Sequence, residues 1–109
     1  GGIRELFPLL IDAGLDAIHA VQPDCIGMDL KELKTEFGDK IVFNGAVDSH
    51  HVLIEGDEEL TRKSTREVLD IMMPGGGFIA GASHDYVLDD TPVENIAAMF
   101  ETVREFGVY

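Results

Sequence analysis

Apolar residues in this sequence fall into two alternating patterns: short continuous runs, and longer stretches in which they recur three and four apart. From Ile3 to Ala13, the residues Ile3, Leu6, Leu10 and Ala13 keep helical spacing, and Gly14 supplies a stop. No Ser, Thr, Asp or Asn precedes the stretch as a cap, so it reads as a helix already under way at residue 1. Leu15 to Val21 follows as a near-continuous apolar run ending at Gln22-Pro23, the habit of a strand buried on both faces of a parallel sheet. Asp29 is placed to cap a helix from Leu30 to Phe37, which Gly38 ends.

The same strand-then-helix unit recurs. Lys40 to Asn44 is β-branched and aromatic, and a polar loop with two histidines leads to a helix from about Glu58 to Met72, capped by Asp57. Pro74 and Gly75-Gly76-Gly77 break the chain before a third strand, Phe78-Ile79-Ala80. A final helix is expected over Pro92 to Phe106, with Thr91 as cap, Pro92 at the first helical position and Glu94 in the first turn. Connections too long for hairpins imply parallel strands, and right-handed crossovers gather the strands' C-terminal ends on one rim. The fold class is therefore α/β, built of parallel β/α units. A three-stranded sheet has two open edges, so the chain is expected to be a single incomplete domain over residues 1–109 that other strands complete.

Composition narrows the partners. The acidic residues number 21 against 8 Lys plus Arg, a formal charge of −13, which disfavours nucleic acid and anionic membrane surfaces. A single cysteine, Cys25, rules out an internal disulfide and a Cys-rich zinc site, and together with the lack of a long apolar run it points to a cytoplasmic protein.

Chemistry in parallel β/α folds collects in the loops after the strands. The first such loop offers Gln22, able to hydrogen-bond a ligand or loop backbone, and Cys25, which lacks a cationic neighbour and reads as a small apolar residue. The second carries Asn44, Asp48, His50 and His51. Asp48 suits either pinning of loop amides or orienting of a substrate, while the adjacent histidines lack metal-binding spacing and read as a solvated pair. In the third, His84 can exchange a proton near neutral pH, as a general acid or a substrate anchor must. The triple glycine precedes its strand, on the opposite rim, and reads as a tight turn; no nucleotide-binding glycine motif is present.

Several strings, in order and spacing, are similar to the C-terminal region of the uroporphyrinogen decarboxylase superfamily. They are Met28-Asp29-Leu30-Lys31-Glu32-Leu33-Lys34 with Glu36-Phe37-Gly38, Phe43-Asn44-Gly45-Ala46-Val47-Asp48, Pro74-Gly75-Gly76-Gly77-Phe78-Ile79, and Thr91-Pro92-Val93-Glu94-Asn95-Ile96 followed by Ala98-Met99. The second string keeps the Gly and Asp of the decarboxylase pattern G-N-[LV]-D-P, with Ala46 and Ser49 in place of its Asn and Pro.

The resemblance implies the C-terminal portion of a (β/α)8 TIM barrel. It implies one of two chemistries: cofactor-free decarboxylation of a carboxylated tetrapyrrole, or zinc-dependent methyl transfer with a corrinoid partner, the zinc ligands then lying largely outside this chain. By the same resemblance His84 matches an active-site histidine that contacts substrate carboxylates. The leading expectation is a decarboxylase-like enzyme acting on a small-molecule substrate without a cofactor or bound metal, with His84 catalytic and Gln22, Asn44 and Asp48 binding substrate. A third expectation is a non-catalytic fragment or subunit that self-associates, or joins the missing N-terminal part of a barrel, to complete its sheet.

Overall fold

A computed structural model describes residues 2–108. A 3-10 turn at Arg4–Leu6 leads into helix α1 (Phe7–Asp12), and strand β1 (Ala17–Val21) follows. Then come α2 (Leu30–Phe37), β2 (Val42–Val47), a π-helical turn (Ser49–Ile54), α3 (Glu58–Met72), β3 (Phe78–Ala82) and α4 (Val93–Phe106). The strands are parallel and lie in sequential order, β1-β2-β3.

Sequential order decides which side the helices take. A doubly wound sheet reverses its strand order to place helices on both faces, whereas parallel strands added always in one direction return on the same side. One core results, in which Phe7 of α1, Leu33 and Phe37 of α2, and Leu69 and Met72 of α3 pack on Ile18, Phe43 and Phe78 of the sheet. Phe7 anchors it, edge-on to Phe37 at 5.2 Å between ring centroids and 6.1 Å from Phe43. The alternate strand positions Ala17, His19 and Ile79 are exposed. This corrects the expectation of strands buried on both faces: the described helices cover one face only, and no described helix or strand packs on the other.

Several boundaries also differ from the sequence pattern. The first helix is not under way at the start of the chain, because Gly2 and Ile3 lie outside it. Pro8 has no N–H to give the Arg4 carbonyl, so the residues before it wind as a separate turn closed by Leu6 N–H on the Ile3 carbonyl at 2.9 Å. Thr91 is not the cap of α4; Pro92 occupies that position with extended backbone, and no side chain caps the helix. Strand β2 runs on through Gly45 to Val47, pairing with Ala80, Gly81 and Ala82 of β3.

Gly45 permits that extension. Its φ is +121°, and a Cβ there would stand 2.9 Å from the Val21 nitrogen and 3.0 Å from the Ala82 carbonyl oxygen, both backbone atoms that cannot yield. The triple glycine forms the expected turn, with φ of +82°, +77° and +73° in succession.

Asn95 links α4 to the rim. It is 2% exposed, and its amide nitrogen donates to the carbonyls of Leu53 at 2.9 Å and Gly56 at 2.8 Å. Replacing it with Ala leaves both carbonyls without their donor, so Asn95→Ala is expected to lower unfolding stability by about 1–3 kcal/mol. Chemical denaturation checks this, and a change within experimental error would show that solvent reaches the two carbonyls.

Candidate functional site

The uncovered face and the rim at the strands' C-terminal ends hold most of the polar side chains singled out above. His19 of β1 is the register partner of Asn44 of β2, which in turn partners Ile79 of β3. Residues in register on neighbouring strands point the same way, so His19, Asn44 and Ile79 share the open face. Gly81 adds no side chain there, and its missing Cβ would sit 3.8 Å from the Asn44 amide oxygen.

The loop after β3 crosses the end of β2 to reach β1. Ser83 keeps it seated: its N–H donates to the Val47 carbonyl at 2.8 Å, and its buried hydroxyl accepts from Ser49 N–H at 2.9 Å. Beyond Ser83, His84 Nδ1 lies 3.1 Å from Gln22 Nε2, and Asp85 Oδ1 lies 2.7 Å from His19 Nε2. Cys25 Sγ donates to Gln22 Oε1 at 3.5 Å, so the amide oxygen faces the thiol and its N–H2 faces the imidazole. An amide N–H can only donate, so in this arrangement His84 Nδ1 is the acceptor, which corresponds to the tautomer with its N–H at Nε2.

Asp48 sits on the same rim with both oxygens engaged in its own loop. Oδ1 accepts from the N–H groups of His50 at 2.8 Å and His51 at 3.0 Å, and Oδ2 lies 3.0 Å from His51 Nδ1. This cap starts the π turn, in which Leu53 N–H reaches the Asp48 carbonyl and Glu55 N–H the His50 carbonyl, each five residues back. Burial raises the Asp48 carboxyl, but the His51 amide, the His51 ring, the His50 amide and the His51 charge together hold it below the usual carboxylate value. The hydrogen bond to Asp48, then the Asp48 charge, lifts His51 above the ordinary imidazole value against its own desolvation, with Glu55 and Asp24 adding to the lift.

Of the residues picked from sequence, the structure joins Gln22 to His84 and sets Asn44 beside His19 on the sheet face, while Asp48 serves its own turn. It also reveals two arrangements that spacing concealed. One is the His19–Asp85 pair. The other brings ligand atoms of Asp24, Asp48 and His51 within 4.8 Å of one another, the grouping among the described residues that could hold a metal ion. Its donors are carboxylate oxygen and imidazole nitrogen, a set that divalent cations including zinc accept, and Cys25 takes no part in it.

A family model for uroporphyrinogen decarboxylase (URO-D) matches residues 1–106. The chain belongs to the uroporphyrinogen decarboxylase family. Within the URO-D family, a uroporphyrinogen decarboxylase of Rickettsia canadensis (strain McKiel) is 31% identical over 93 residues, which is 82% of this chain and 26% of that protein. The chain thus spans about a quarter of the length of this curated relative. A solved methyltransferase from Methanosarcina mazei matches with a TM-score of 0.74 over 99% of this chain and 30% of its own, at 23% identity, a likeness of fold. Three parallel β/α units in sequential order are thus a partial URO-D-type α/β fold of the barrel kind. No described helix is long and apolar enough to cross a membrane.

The Asp48–His51 pair has a definite pH window. Asp48 contributes stability above its unfolded-state pKa and loses it as pH falls through its lowered folded value; His51 contributes below its unfolded-state pKa and loses it as pH rises through its raised folded value. In Asp48→Asn, the His51 titration followed by NMR is expected to fall back toward about 6.5. An unmoved midpoint would sever the pair.

Proposed function

We propose that the protein carrying this chain is a carboxy-lyase of the uroporphyrinogen decarboxylase type, acting on a carboxylated tetrapyrrole without a cofactor. The observation that carries this reading is the Gln22–His84 contact on the strand-end rim of a URO-D family chain. It leaves Nε2–H of His84 as a donor suited to a side-chain carboxylate, with Gln22 as the residue that positions the ring and Asn44 as a further polar contact on the sheet face. Asp48 supports the site by holding the neighbouring loop.

The chemistry asked of such a site is modest. Protonation of the pyrrole carbon next to the departing side chain creates an electron sink. The bond to the carboxylate then breaks, its electron pair passes into the ring system, carbon dioxide leaves, and a proton adds to the side-chain carbon as the ring carbon gives up the one it had taken. His84 binds and orients a carboxylate during this sequence. The open sheet face supplies only part of a pocket, so turnover belongs to a larger assembly, formed with further barrel strands or with another copy of this chain.

Uroporphyrinogen turnover by the intact protein, with and without His84→Ala, tests the assignment. Loss of the histidine is expected to lower kcat/KM by about 100-fold or more. An unchanged rate would remove His84 from the site, and no turnover by the unsubstituted protein would overturn the decarboxylase reading.

Zinc-dependent methyl transfer with a corrinoid partner is the second reading, and the Asp24–Asp48–His51 grouping is the feature that favours it. In that case the intact protein is expected to retain zinc through dialysis and to lose it in Asp24→Ala. Metal analysis showing an active, zinc-free protein would exclude this alternative.

A further inference from the structure

The open face of the sheet carries a basic group that the proposed chemistry has not used. His19 stands in the interior of β1, 55% exposed at its side chain, beside Asn44 on a face that no described helix covers. The chain's lysines and arginines lie on the helices, in the turn before α1, and at Lys40 ahead of β2. Imidazole is therefore what this face offers an anion, in a chain whose formal charge of −13 repels anions elsewhere.

An anion already sits there. Asp85 Oδ1 is 2.7 Å from His19 Nε2, delivered by the same loop that places His84 on Gln22. Nothing forces this contact by packing, for the Asp85 side chain is 65% exposed. Exposed pairs of this sort are weak and exchange readily with an external carboxylate.

We propose that His19 is a carboxylate-binding residue, and that Asp85 occupies it as an internal stand-in until a ligand carboxylate displaces it. The ligand class is an organic carboxylate presented to the open sheet face, with the Asn44 amide adjacent as a second polar contact. Displacement frees Asp85 from β1, so binding at His19 also releases a contact that ties the β3 loop to β1, leaving that of His84 with Gln22. The inference deepens the reading of an acidic substrate, yet stands on the His19–Asp85 geometry alone.

Acetate is the probe, with acetamide as its neutral control, titrated at fixed pH into the intact protein carrying 13C-labelled histidine. Acetate is expected to shift the His19 ring resonance and acetamide to leave it in place. Asp85→Asn keeps the side chain's shape and removes the competing charge, so it is expected to tighten acetate about two- to five-fold. His19→Gln is expected to abolish the acetate effect while thermal unfolding reports an intact fold. Unchanged or weaker acetate binding in Asp85→Asn, an equal response to acetamide, or a response confined to other histidines would overturn the proposal. Uroporphyrinogen turnover in the same variants separates the two ideas. Acetate binding at His19 without turnover refutes the decarboxylase reading alone, and turnover without competition by Asp85 refutes this inference alone.

Discussion

Parallel strands cannot be joined by a tight turn; after each strand the chain must travel back the full length of the sheet before the next can begin. In this protein every return is made by a helix and every new strand is added on the same side of the last, giving the order β1-β2-β3. The helices therefore share one face, where the Phe7, Phe37 and Phe43 rings bind α1 and α2 to the central strand. The other face keeps its polar and apolar side chains uncovered. A rim and a bare face carrying His19, Asn44, Gln22 and His84 are thus consequences of topology before they are matters of chemistry.

Close approach at the strand ends brings the side chains of that rim together. Gly45 lets the backbones of β1, β2 and β3 meet where any Cβ would collide with its neighbours on both sides. Just beyond, Ser83 ties the loop after β3 to that after β2 through Ser49 N–H. With the loop so seated, its next two residues reach β1: His84 meets Gln22 and Asp85 meets His19. Ala46 carries part of the strain, with φ of +85° at a non-glycine residue. The family pattern places Asn at this position, a residue that tolerates left-handed backbone better than alanine does.

Much of the architecture was legible in the sequence because caps and periodic apolar positions are local signals. Asp29 and Asp57 accept from the N–H groups of Glu32 and Leu60, as their placement before helical stretches implied. Signals that depend on a missing group were easier to overlook. Pro8 splits the first helix by lacking a donor, and Pro92 moves the start of α4 one residue past the point that Thr91 suggested. The π turn was hidden for another reason: its i to i+5 bonds leave no distinctive apolar period, and only the Asp48 cap betrays it. Gln22 and His84, 62 residues apart, could be named singly, but their contact could not, because it depends on how the β3 loop crosses β2. His19 passed unnoticed inside an apolar run that read as fully buried, and Asp24 meets Asp48 and His51 only through folding.

The residues that carry the family resemblance and the residues that could carry its chemistry are largely different sets. Asp29 caps α2, Gly75-Gly76-Gly77 turns the chain into β3, Gly45 admits close backbone contact, and Asn95 fastens α4 to the π turn. Each answers a requirement of the scaffold, so strings built on them identify the fold whatever substrate it serves. Gln22, His19 and Asp85 belong to none of those strings, and Asn44 is the one rim residue that does while also facing the open sheet. The candidate site residues thus fall where sequence likeness is least informative, at a few side chains whose placement comes from contacts between loops. In this chain those contacts are the Gln22–His84 hydrogen bond and the close His19–Asp85 imidazole–carboxylate contact, which join the third unit to the first, and a ligand that enters the open face must either use them or break them.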